Sequence, residues 1–360
     1  MKVGVLMINF GEPEEPTLEK VTPFLERIFL QNSGLDEVSR GKERARELAR
    51  RRAPELVTEY EVIGGSPLNR QAGAQAGALR QEFLQRLGKD VAVYSAFQFT
   101  EPSLEQAVAA ARQDGMGTLI GLPVYPLCGQ STSVAALDKV QTLLEQLDWQ
   151  PRFAGIGGWH NHPAYVALRA SAIGNFVRSE GLDLADPETL LYFSAHGTPL
   201  QYLDDGNRYD RYVEDHCSQL ARVLGVDRWT VGFQNHGDRD IAWTWPANEH
   251  RINTIREQHI VVDAVSFMHE QSETLMELDR VLRSHAERIG KAFHRVPVPH
   301  DHPAFIPFLA DLVQAVLAGA EGGIPGILTR CRCRVRGDTW CTNGARELPL
   351  SPYRRRSGPG

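Results

Sequence analysis

The chain has 360 residues, 42% of them apolar, and carries 39 Lys and Arg against 45 Asp and Glu for a formal net charge of −6 at pH 7. That length suits two α/β domains better than one, and the apolar share is enough for ordinary cores, which excludes a disordered chain. The charge balance, with no central basic stripe, excludes a nucleic-acid binder.

The first apolar run, at residues 3–9, is too short for a signal peptide and ends in a turn, so it reads as a buried strand of a parallel sheet. Further strands are expected at 91–99, 118–124, 189–194, 229–234 and 259–267. Helical periodicity falls between them at 71–86, 103–114, 132–147 and 162–180. This βαβ alternation predicts an α/β protein of two doubly wound, Rossmann-like parallel sheets with a pseudo-twofold relation. Strand one ends in Asn9-Phe10-Gly11-Glu12-Pro13, and the strand near residue 190 ends in Ala195-His196-Gly197-Thr198-Pro199. Each turn follows a buried strand, and ligands of such folds sit at the carboxyl ends of strands, so both turns are expected at one cleft. The predicted boundaries are 1–150 and 151–318 for the two domains and 319–360 for an irregular tail. No run is long enough to span a bilayer, and five cysteines in this composition suit a reducing, cytoplasmic setting.

His196 stands where ligands bind, and its ordinary pKa suits proton transfer or metal ligation. A turn histidine capping a backbone group is the plainer alternative. Glu273 is expected in the first turn of a helix capped by Ser272, with Glu277 one turn on; carboxylates favour such a position for helix stability alone. Stacked on one face, the two could also pass protons or a hydrated cation. Cys217 shares helical spacing with Val213 and Leu220 and reads as core. Cys331, Cys333 and Cys341 lie in the tail, and Cys128 follows the third strand. Together they make four thiols, the number an iron–sulfur centre or structural zinc requires; reduced, exposed tail thiols are the alternative. Phe10, Phe97, Phe99, Tyr125, Trp243 and Trp245 gather near strand ends, and a flat apolar ligand would use some of them.

Five segments in order resemble the ferrochelatase family: Leu6 to Pro13, Gly64-Gly65-Ser66-Pro67-Leu68, Leu122-Pro123-Val124-Tyr125-Pro126, Phe193 to Pro199, and Glu273-Thr274-Leu275-Met276-Glu277-Leu278-Asp279. The resemblance implies a chelatase-like fold and insertion of Fe²⁺, as substrate, into a porphyrin to give haem. It implies catalytic roles for His196 and Glu273, with Glu277 behind them as a metal and proton conduit. Phe10, Ser66, Gln98, Phe99, Tyr125 and Trp243 would lie near the macrocycle. Some members hold a [2Fe–2S] cluster on tail cysteines plus an internal one, the role open to Cys331, Cys333, Cys341 and Cys128. Departures from the family pattern are Gln98-Phe99 for Arg-Tyr, Gln271 for a His, Val281 for a third carboxylate, and Asn235-His236 where Ser-Arg is usual. The Asn9-Phe10 turn is more like users of protoporphyrin IX than of coproporphyrin III. The rival reading is a porphyrin- or haem-binding relative without turnover. Peripheral membrane contact suits an insoluble substrate.

Overall fold

The structure, a computed structural model, describes residues 2–35, 41–87, 91–236, 241–319, 328–331, 334, 338–343 and 353. The chain divides into two compact units, one of Met1–Tyr125, Gln130–Gly157 and Ile306–Gly344, the other of Pro126–Gly129, Gly158–Phe305 and Ala345–Gly360.

In the first unit, β1 (Val3–Asn9) leads to the helices α1 (Leu18–Gln31), α2 (Gly41–Ile63) and α3 (Leu68–Leu87). Then follow β2 (Ala92–Phe97), α4 (Leu104–Gln113), β3 (Thr118–Pro123), a π-helical turn at Gln130–Val134, α5 (Ala135–Gln146) and β4 (Arg152–Ile156). The long pair α1 and α2 was not anticipated. Each contains a proline, Pro23 and Pro54, which reads as a break, yet their apolar faces meet in a core of Val21, Phe24, Leu25, Leu48, Ala49 and Tyr60. The helix expected from residue 103 starts as anticipated: Ser103 and Gln106 form a reciprocal capping box at α4.

In the second unit the order is α6 (Pro163–Ser179), β5 (Thr189–His196), α7 (Leu200–Asp204), α8 (Tyr209–Leu224) and β6 (Trp229–Gln234). It continues with α9 (Asn248–Ile252), β7 (His259–Ala264), a π-helix at Glu273–Leu282, α10 (Arg283–Arg288) and β8 (Ala292–Arg295). The chain then re-enters the first unit at Ile306, within α11 (Phe305–Ala318), and its tail carries β9 (Thr329–Arg330) and β10 (Asp338–Cys341).

The two sheets are wound alike. The first runs β2-β1-β3-β4 before its edge, the second β6-β5-β7-β8, and all these pairs are parallel. In each, the strand order reverses beside the first strand, which places the ligand-binding crevice between β1 and β3 in one and β5 and β7 in the other. The central strands are buried on both faces, as parallel strands under helices must be: Val5, Leu6, Met7 and Ile8 of β1 and Leu191, Tyr192 and Phe193 of β5 are all 0% exposed.

Two short described segments of the tail are regular, where irregular chain is expected unless something ties it down. β10 pairs parallel with β4, and β9 pairs antiparallel with β10, so the first sheet gains two strands at its edge. Pairing with an open edge explains why Thr329–Arg330 and Asp338–Cys341 are strands. Arg334 adds an anchor, donating to Asp138 at 2.7 Å, Gln141 at 2.7 Å and Thr339 at 2.6 Å. No helix among the described residues is long and apolar enough to cross a membrane.

Candidate active site

His196 ends β5 and is half-buried. Its backbone N–H donates to Ser266 Oγ at 2.8 Å, across the point where the strand order reverses, and Ser266 Oγ lies 2.8 Å from Tyr209 Oη. Gly197 follows because nothing larger fits: a Cβ there would collide with the Asn235 side chain and lie 2.7 Å from the Gln234 carbonyl oxygen. The ring is oriented by its own turn. Nδ1 lies 2.6 Å from the Gly197 carbonyl oxygen, which can only accept, so Nδ1 carries the hydrogen. In the neutral ring Nε2 is then the lone-pair atom. Nε2 faces Nε2 of His236 at 3.0 Å, and with that tautomer His236 is the donor. Burial, helped by the neighbouring His236, lowers the His196 pKa to about 4 against the opposing pull of the Gly197 carbonyl and Glu277. His196 is therefore a neutral base at neutral pH.

The two carboxylates arise differently from the sequence expectation. Ser272 does not cap the helix; its backbone is already helical (φ −55, ψ −42), and its hydroxyl donates to Glu273 Oε2 at 3.3 Å. Glu273–Leu282 is a π-helix, wider than an α-helix, a form that recurs at functional sites. Gln234, at the end of β6, holds its first turn: Nε2 donates to the Glu273 carbonyl oxygen at 2.9 Å and to Glu277 Oε2 at 3.1 Å. Gln271 donates to Glu273 Oε2 at 2.5 Å. At this position the amide supplies the donor that a histidine would, but it cannot take up a proton. Val281, where a third carboxylate was looked for, is 51% exposed.

Behind Gln234 runs a buried chain of donors: Tyr192 Oη to Asn248 Oδ1 at 2.8 Å, Asn248 Nδ2 to Ser194 Oγ at 2.8 Å, and Ser194 Oγ to Gln234 Oε1 at 3.3 Å. All four side chains are at most 4% exposed, so each polar atom depends on its neighbour. Arg295 fixes the π-helix from outside. It pairs with Glu270 at 2.9 Å and doubly with Asp279 at 2.7 Å for each bond.

Trp243 lies beside His236, its ring centroid 5.6 Å away in an edge-to-face contact. Of the residues gathered here, His236 stands out in the sequence only as a departure from the family pattern, and Gln234, Ser266 and Tyr209 are not assigned a role there. The register that pairs His196 with Gln234 across β5 and β6 brings two of them in, and strand order is not written in either strand alone.

The other residues expected near the macrocycle lie in the first unit. Tyr125 Oη donates to Gln98 Oε1 at 2.6 Å, and Gln98 Nε2 donates to the Ser131 carbonyl oxygen at 3.2 Å, so Gln98 is held by the π-helical turn. Phe10 is half-buried and packs on Phe99 with ring centroids 4.6 Å apart. Phe99 itself is only 2% exposed, inside the α1–α2 core, and has almost no face to offer a ligand. Ser66 is half-buried and accepts from the Leu68 N–H at 3.3 Å at the start of α3. Cys331 and Cys341 fall on one face of the β9–β10 ribbon, given the register that pairs Cys341 with Thr329. Cys128 belongs to the second unit, and Cys333 lies outside the described residues. Among the described residues no group of three or more His, Cys, Asp or Glu side chains is gathered as a ready-made metal site. The described cysteines thus do not by themselves present the four ligands of a [2Fe–2S] cluster. Cys217, in α8, is 0% exposed, and burial pushes its thiol pKa up, as befits a core residue.

Two sheets wound alike, with a neutral histidine and two carboxylates at one reversal of strand order, define a chelatase-type α/β protein. SirB from Bacillus subtilis, solved with Fe³⁺, shares the fold: its TM-score is 0.52 at 11% identity, over 90% of this chain and 99% of that one. Residues 2–317 match the ferrochelatase family. Ferrochelatase of Synechococcus sp. strain RCC307 is 33% identical over 335 residues, covering 89% of this chain and 84% of the relative. That of Cyanothece sp. strain PCC 7425 is 34% identical over 341 residues, covering 89% and 83%. The chain belongs to the ferrochelatase family.

Proposed function

We propose that this protein is a haem-synthesis ferrochelatase that inserts Fe²⁺ into protoporphyrin IX. The observation that carries the reading is the setting of His196, whose Nδ1–H is committed to the Gly197 carbonyl and whose Nε2 lone pair is turned to His236 Nε2. Insertion exchanges one Fe²⁺ for two pyrrole protons with no change of oxidation state. A neutral base beside carboxylates is what that exchange needs. His196 Nε2 accepts one pyrrole proton and Glu273, held by Gln271, the other, while Glu277, held by Gln234, balances the charge that forms. The buried donor chain behind Gln234 keeps the carboxylates in place while that charge changes, so little reorganisation accompanies the step.

Protoporphyrin IX is favoured over coproporphyrin III by the Asn9-Phe10 turn. Purified protein under anaerobic conditions, given Fe²⁺ and each porphyrin in turn, tests this by absorbance. Haem formed faster from protoporphyrin supports the reading, and faster turnover of coproporphyrin reassigns the substrate. Porphyrin binding without any insertion removes the enzymatic reading and leaves a carrier.

The tail thiols Cys331 and Cys341 supply two of the four ligands a [2Fe–2S] cluster takes, and such a cluster would tie down the tail rather than enter the chemistry. Visible absorbance and iron content of protein purified without oxygen test it. The proposed setting is cytoplasmic with peripheral membrane contact, tested by co-sedimentation with lipid vesicles.

A further inference from the structure

We infer that His236 is a second imidazole of the site, and that His196 and His236 together take up the divalent metal before the porphyrin receives it. The inference deepens the proposed function, on which it rests. Two Nε2 atoms 3.0 Å apart are spaced as neighbouring ligands of one ion are. With metal–nitrogen bonds of about 2.0–2.1 Å, that separation corresponds to an angle near ~90° at the metal. Imidazole nitrogen is a suitable donor for divalent iron, cobalt and zinc. The His196 ring is already aimed, because its Nδ1–H is held by the Gly197 carbonyl. The His236 ring is flanked by Trp243. Metal entry requires only that the hydrogen between the two Nε2 atoms transfer, through solvent, to Nδ1 of His236; no net proton is lost.

The same pair suits release. The two nitrogens carry no charge of their own to hold the cation. Such a site yields its cation to the four nitrogens of a macrocycle. The count of protons also closes. As the ion leaves the two imidazoles for the ring, two pyrrole protons are displaced; one goes to the vacated His196 Nε2 and the other to Glu273. A second close pair, His259 Nδ1 and His294 Nε2 at 3.2 Å, differs in placement. His259 begins β7, at the opposite end of the strand from the ligand-binding edge.

The test uses Co²⁺ as the probe, on the full chain without porphyrin, in a His259→Gln background that removes the second pair. Co²⁺ titration followed by its visible bands, together with X-ray absorption of the one-equivalent complex, gives affinity and the number of imidazoles. The inference predicts two imidazoles on the metal, and a loss of affinity of at least about tenfold in His236→Gln, the lower end of what losing even an outer partner of a metal site costs. One imidazole or none on the metal, or unchanged affinity in His236→Gln, overturns it. The absorption count is made on protein with both site histidines intact and so does not depend on the variant folding. If haem formation is normal while these results are negative, the inference falls and the proposed function stands.

Discussion

Gln234 and Glu277 are joined by a 3.1 Å hydrogen bond, and the same amide nitrogen holds the carbonyl of Glu273, so one β6 side chain grips both ends of the first π-turn. Gln234 is 4% exposed and is the last link of a buried donor chain from Tyr192. Gln234→Leu leaves the Ser194 hydroxyl and the Glu273 carbonyl without their partner. The expected loss is about 1–3 kcal/mol of stability, measured by urea unfolding, with a fall in kcat larger than any change in porphyrin KM.

Arg169 and Asp263 form an ion pair with both side chains at most 1% exposed, through bonds of 2.8 and 3.0 Å. Arg169 also donates to the Phe267 carbonyl at 3.0 Å, which ties the loop after β7, and with it Ser266, to α6. Arg169→Met strands a buried carboxylate and is expected to cost about 3–5 kcal/mol. Calorimetry or denaturant unfolding reads it directly. The double variant Arg169→Met with Asp263→Leu recovers much of the loss, because no charge is then left alone.

The pH dependence follows from the buried histidines. The pKa of His196 is lowered to about 4 and that of His269 to about 3, both chiefly by burial, from an ordinary 6.5. Between pH 6.5 and about 4 the unfolded chain binds protons at these sites and the folded one does not. Stability therefore falls as pH is lowered through that window and levels off below the folded pKa values. Denaturant midpoints measured from pH 7 to pH 5 should decline, with a shallower slope in His269→Gln. A flat profile contradicts the neutral state assigned to His196.

Glu273→Gln keeps the shape of the π-helix and its bond to Gln234, which uses the backbone carbonyl. It removes one negative charge where proton-bearing charge develops. A loss of about 10²–10⁴ in kcat is expected with porphyrin affinity retained, seen in steady-state assay beside fluorescence titration. Val281→Glu, on an exposed position of the same helix, should change stability by no more than about 0.5 kcal/mol.

The buried strands were legible because a parallel strand under two helical layers must be apolar throughout, and β1 and β6 span the residues expected of them. His196 and the carboxylate pair were legible from their place after such strands. Less could be read where partners decide the structure. Pro23 and Pro54 hid two helices that are held by packing on each other. β9 and β10, two and four residues long, are strands only because β4 offers an edge. Ser272 looked like a cap, but the π-helix begins inside its own dihedral angles. His236 is visible in the sequence only as a departure from the family pattern; the register of β5 with β6 is what sets it against His196.

The most direct test of the account is anaerobic haem formation by His196→Ala, measured beside porphyrin binding by the same protein. The account predicts that the variant binds porphyrin as the wild type does and forms haem at least about 10²-fold more slowly. Haem formation at the wild-type rate would show that the pyrrole protons leave by another route, and the role assigned to His196 would be lost.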